Sequence, residues 1–133
     1  YPAMIEAGVD IRLGTDGAAS NNSLDMRSES KAASLVQRHD HWDARVLDPI
    51  ETWKLATKGS TDWITWNLDD IRMRPIGRDS RRILANTIYS GGDVLDVFVG
   101  GEAIRRDGKT LTIDESKACK DIEDAAIDYY SEI

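Results

Sequence analysis

Asp16 closes a short run of alternating apolar and polar residues and opens a loop of small side chains, in the stretch "DIRLGTDGAASNNSLDM" at residues 10–26. In an α/β chain, a carboxylate just past a strand stands on the open face, where the loops gather and ligands bind. There it can hold a metal ion or accept a proton. The small residues after it, from Gly17 through Ser20 and Asn21, let a substrate come close to the backbone. The same residue types also suit a plain turn, because Asp and Asn cap helices and form local Asx-turns. Composition leaves both readings open.

Three other features invite a chemical reading. His39 and His41 flank Asp40 in "QRHDHWDAR". Histidines two apart point the same way only on a strand, and these lie between helical patterns, so they read as a solvated helix end. They are the 2 His of the chain, and a zinc site usually takes three or four protein ligands, often His or Cys. The single cysteine, Cys119, cannot form an intrachain disulfide. It sits in the helical "SKACKDIEDAA" and reads as a packed or partly exposed structural thiol. "SGGD" at residues 90–93 lacks the Lys and the following helix of a phosphate loop, and reads as a turn.

The elements that must position Asp16 follow an α/β rhythm. "PAMIEAG" predicts one or two helical turns stopped by Gly8. Val9, Ile11 and Leu13 alternate with polar residues and predict a strand ending just before Asp16. From Ser23 or Leu24 to about His39 the spacing predicts a helix whose apolar face carries Leu24, Ala32, Leu35 and Val36. "DPIETW" is a sharp helix start, with Asp48 as cap, Pro49 in the first turn and Glu51 closing a capping box. That helix should reach about Lys58 and stop at Gly59. "STDWITWNLDD" reads as a second short helix burying Trp63, Ile64 and Trp66, and the four Trp (42, 53, 63 and 66) read as packing between helices.

Residues 69–82 read as a charged connector. "RILANTIYS" and "DVLDVFVGGE" read as strands, and Asp107-Gly108 predicts a hairpin turn within "EAIRRDGKTLTID". Asp114 should cap a final helix.

A chain of 133 residues with 41% apolar and 31% charged content suits one ordinary domain with a real core. The net charge of −7 argues against a broad nucleic-acid surface. No apolar run approaches the roughly 20 residues that span a bilayer, and no signal peptide opens the chain, which points to a cytoplasmic protein. The opening "YPAMIEAGVD" reads as the interior of something longer.

"GVDIRLGTDGAASNNSLDM" closely resembles the metal-dependent amidohydrolase superfamily, in the branch of chlorohydrolases and of deaminases of S-adenosylhomocysteine, methylthioadenosine and related aminated heterocycles. "KLATKGS" is similar to a later family segment, and "YSGGDVLDVFVGGEAIRRDGK" to the family's late strand-rich segment. The resemblance implies a (β/α)₈ barrel and a small β-sandwich built from both chain ends. It implies that Asp16 follows the last barrel strand, binds the catalytic divalent metal (zinc or iron) and moves a proton between the metal-bound water and a small-molecule substrate. Gly17, Ser20 and Asn21 would line the substrate pocket, Ser20 foremost.

This chain lacks the family's "HxH" pair, its later His ligands, its catalytic Glu and seven of the eight barrel strands, and 133 residues cannot close a barrel. A strand-rich family segment between "WNLDD" and "IRMRP" is also missing. The expected organisation is α/β with an incomplete barrel: residues 1–68 as its last strand and terminal helices, 69–113 as C-terminal strands of the sandwich, and 114–133 as a terminal helix. The reading is a C-terminal fragment of a hydrolase acting on C–N or C–Cl bonds, inactive and metal-poor by itself. The alternative is a non-catalytic scaffold or binding protein descended from such an enzyme. An exposed barrel strand predicts self-association; no nucleic-acid or membrane partner is expected.

Overall fold

The computed structural model describes residues 1–131 and divides into two compact units. The first comprises Tyr1–Ser60 with Leu68–Gly92; the second comprises Thr61–Asn67 and the chain from Asp93 on.

The first unit is helical. Its elements are α1 (Pro2–Glu6), α2 (Met26–His41), α3 (Pro49–Thr57), a 3-10 turn at Ile71–Met73 and α4 (Ser80–Tyr89). Aspartates start the longer helices by accepting orphan backbone N–H groups: Asp25 from Arg27, Asp48 from Ile50 and Glu51, and Asp79 from Arg81. At α3 the full capping box forms as the sequence predicts, with Pro49 in the first turn. Helices α2, α3 and α4 pack against one another around Leu47, Met73 and Ile88.

That core also holds buried hydroxyls, and each has a partner. Ser34 Oγ lies 2.9 Å from the Leu47 carbonyl and 2.7 Å from the Tyr89 hydroxyl. Thr52 Oγ1 donates to the carbonyl oxygens of Leu47 and Asp48.

Several expectations need correction in this unit. Residues 9–13 form no strand. Val9 N–H bonds the Met4 carbonyl and Leu13 N–H the Leu55 carbonyl, and no ladder forms because no neighbouring strand lies alongside. Helix α2 begins at Met26 rather than Ser23 or Leu24, since Asp25 takes the cap position. Leu35 and Val36, expected on its buried face, are 49% and 61% exposed. The segment "RILANTIYS" is helix, not strand. Asp79 caps it, and Ile83, Thr87 and Ile88 recur at helical spacing.

The second unit is a four-stranded antiparallel sheet followed by a helix. Strands β1 (Trp63–Trp66), β2 (Val94–Val99), β3 (Glu102–Arg106) and β4 (Lys109–Thr110) lie in that order, and α5 runs Glu115–Ser131. The tryptophan segment is therefore a strand, not a helix. Its aromatic and β-branched residues suit a pleated surface, and β1 finds a partner in β2 with Trp63 opposite Phe98. The four Trp do not gather between helices: two lie on β1, and Trp42 is 88% exposed past the end of α2.

The hairpin forms as predicted. Asp107 and Gly108 both take positive φ, 45° and 76°, as a type I′ turn requires. Asp114 accepts the Lys117 N–H at the start of α5. Among the described residues, no helix is long and apolar enough to cross a membrane.

Candidate functional site

Asp16 stands at the start of an ordered loop in the first unit. Its φ is +59°, a left-handed conformation that few residues other than Gly adopt, though Asp is among the more tolerant. Gly17 N–H donates to Asp16 Oδ1 at 2.7 Å, so the side chain folds back over its own loop. Ser20 Oγ donates to the Gly17 carbonyl at 3.1 Å, and the Ser20 and Asn21 amides bond the same carbonyl. These bonds wind residues 17–21 into a tight turn.

The carboxylate itself faces solvent. The Gly17 amide, seconded by the Ser20 hydroxyl, holds its pKa below the ordinary 3.8. Asp16 is therefore ionised at neutral pH and can accept a proton or serve as an oxygen ligand.

The loop's fastening is a residue whose role the sequence conceals. Asn21 Nδ2 donates to the Thr15 carbonyl at 3.0 Å and to Glu29 Oε1 at 2.7 Å. Asn21 Oδ1 accepts the Ser23 N–H at 3.2 Å. Glu29, one turn into α2, thus reaches back to the loop; its only signal in the sequence is its place in that first turn.

Nearby, Arg27 pairs with Asp25 and donates to the Gly92 carbonyl at 2.9 Å. It lines a shallow cleft with Asp25, Ser28, Lys31, Arg72 and Tyr89, and Asp16 is not among the lining residues. The cations of that cleft are engaged: Lys31 with the Tyr89 carbonyl and Arg72 with Asp70.

The remaining candidates stand apart from Asp16 in role. His39 and His41 lie in the last turn of α2, where His39 packs its ring near Trp42 and His41 lies near Asp40. Cys119 is exposed on α5. Among the described residues, no group of three or more His, Cys, Asp and Glu side chains could hold a metal ion. Asp16 alone offers one carboxylate, fewer ligands than a divalent metal centre takes. The described residues do not make a metal site by themselves.

Residues 1–69 match the model of the amidohydrolase family. A 5-methylthioadenosine/S-adenosylhomocysteine deaminase from Bacillus cytotoxicus is 36% identical in an alignment that covers 86% of this chain and 30% of the relative. Its counterpart from Bacillus cereus strain AH187 matches with the same identity and coverage. The crystal structure of an adenosine deaminase from Xanthomonas campestris with bound zinc superposes with a TM-score of 0.79 at 26% identity, over 92% of this chain and 31% of that one. The chain thus spans about a third of the length of the proteins it matches.

Proposed function

The chain belongs to the amidohydrolase family, and on that premise we propose that it is the C-terminal part of a metal-dependent cytoplasmic hydrolase acting on a non-peptide C–N bond. The reaction is hydrolytic deamination of an aminated heterocycle or nucleoside-like small molecule. Deamination rather than dechlorination is favoured by the relatives, which are deaminases by name.

The observation that carries this reading is Asp16: an ionised, solvent-facing carboxylate held at a left-handed backbone position by its loop. In hydrolytic deamination the oxygen of water joins the ring carbon and ammonia leaves. A positioned carboxylate takes the proton from the attacking water and returns it to the departing nitrogen. Asp16 is assigned that role, and it is the residue through which this chain would contribute to a zinc or iron centre. The described residues supply too few ligands to hold that metal by themselves. Gly17 and Ser20 are assigned to the substrate side of the carboxylate, and Asn21 shapes that side through the backbone it holds.

On the same reading, residues 1–68 supply the segment that leads into Asp16, which forms no strand here, and closing helices of a (β/α)₈ barrel. The strands within 69–113, joined by β1, belong to the companion β-sandwich, and 114–133 form the terminal helix.

A second reading is favoured by the lack of a metal-binding cluster among the described residues: a scaffold or binding protein that has left catalysis behind. Two measurements separate the readings. Elemental mass spectrometry and an ammonia-release assay on the chain alone should find neither metal nor turnover. Joined to the N-terminal portion of a Bacillus relative, the chain should release ammonia from 5′-methylthioadenosine or adenosine. Failure of the joined, folded protein to do so supports the scaffold. Near-stoichiometric zinc or iron in the chain alone would overturn its assignment as an incomplete site.

A further inference from the structure

We propose that Glu29 is a positioning residue for the Asp16 loop, acting through the side-chain amide of Asn21. The inference rests on Asp16 being the working carboxylate, but its test does not require activity.

The geometry is directional. Asn21 presents its two N–H groups to two acceptors, the Thr15 carbonyl and Glu29 Oε1, and its oxygen to one donor, the Ser23 N–H. Only the amide orientation seen here satisfies all three. The Thr15 carbonyl belongs to the peptide unit leading into Asp16, so the bond at 3.0 Å fixes the chain just before the strained residue. The Ser23 bond fixes the loop's exit. Both depend on where Asn21 sits, and Glu29 is what ties Asn21 to a regular element, from the first turn of α2.

The Glu29 bond is also the strongest of the three by type. It is the shortest, at 2.7 Å, and its acceptor is a carboxylate. A positive φ at a residue other than Gly persists only where its surroundings over-determine it. The Asn21–Glu29 link supplies that determination from outside the loop, while the bonds among Gly17, Ser20 and Asn21 act within it.

Two variants of the chain test this by NMR. Glu29→Ala removes the acceptor; Glu29→Gln keeps an oxygen at the same reach and removes only the charge. A left-handed residue gives a strong cross-peak between its own amide and α protons, and that cross-peak at Asp16 is the readout, with exchange of the Asn21 side-chain amide as the second. In Glu29→Ala the Asp16 cross-peak should weaken and Asn21 exchange should accelerate about tenfold, on the scale of one hydrogen bond to a charged group. In Glu29→Gln both should fall between wild type and Glu29→Ala, because the acceptor is kept and its charge is lost. An unchanged Asp16 cross-peak in a folded Glu29→Ala chain overturns the proposal. So does a Glu29→Gln variant that behaves like Glu29→Ala, because the hydrogen bond would then not be the cause. Neither result would bear on whether Asp16 serves deamination.

Discussion

Trp63 of β1 stacks on Phe98 of β2 with ring centroids 3.7 Å apart and planes 13° from parallel, and the two residues are direct cross-strand partners. Phe98 is 7% exposed and carries the Arg106 guanidinium 4.6 Å from its ring centre. One aromatic therefore joins two strand pairings and a cation. Phe98→Ala should cost about 3 kcal/mol in urea unfolding of the sheet. Trp63→Ala should cost less, since Trp63 is half exposed. A double-mutant cycle should give a coupling of about 1 kcal/mol. Additive losses would mean that the stacking contributes nothing beyond burial.

The capping box of α3 gives a second prediction. Asp48 Oδ1 accepts two backbone N–H groups at 2.9 Å, and Glu51 returns a bond to the Asp48 amide at 3.1 Å. Asp48→Ala should destabilise the first unit by about 1 kcal/mol, and Asp48→Ser by much less. Equal losses for both variants would show that the cap is not what the aspartate supplies.

Acid should weaken the fold in a defined window. Side-chain hydrogen bonds from Arg45 lower the Asp43 carboxyl from 3.8 to about 2, and Arg72 does the same for Asp70. A carboxyl lowered on folding binds fewer protons in the folded chain than in the unfolded one. Its stabilisation is complete above 3.8 and disappears as the pH falls to about 2. The melting temperature should drop across that interval. The drop should be shallower in Asp43→Asn/Asp70→Asn, and modest in size because surface ion pairs contribute little. An equally steep drop in the double variant would assign the acid sensitivity elsewhere.

The segment at residues 9–13 predicts self-association. It forms no ladder, its backbone is held by two bonds, and apolar residues stand exposed on the same unit at Met4, Ile5, Val9 and Leu24. Exposed apolar surface beside backbone outside any ladder favours contact with another copy. Light scattering should find oligomers whose size grows with concentration. A compact monomer at high concentration would contradict this.

How much of the fold was legible depended on whether the signal was local. Asp48, Pro49 and Glu51 specify a helix start within four residues, and Asp107-Gly108 specifies a hairpin within two; both formed as read. Residues 63–66 are aromatic and β-branched and favour a strand, but a strand needs a partner, and β2 supplies it nearly thirty residues on. Residues 83–90 went the other way: a β-branched run became helix because Asp79 caps it and Met73 and Ile88 bury together against α2 and α3. The alternation of Val9, Ile11 and Leu13 is a strand pattern without a strand, since pairing needs a neighbour that these residues cannot supply. At the candidate site, Asp16 was legible from its loop. Glu29 was not, because a Glu in the first turn of a helix is common for reasons of its own.

On the proposed function, Asp16 is the chain's contribution to a hydrolytic active site. Its most direct test is Asp16→Asn in the longer protein formed by joining this chain to the N-terminal portion of a relative, assayed for ammonia release. The expected result is a loss of kcat of roughly 10²–10⁴-fold with the fold intact. Turnover at the unsubstituted rate in the Asn variant would contradict it and remove Asp16 from the site.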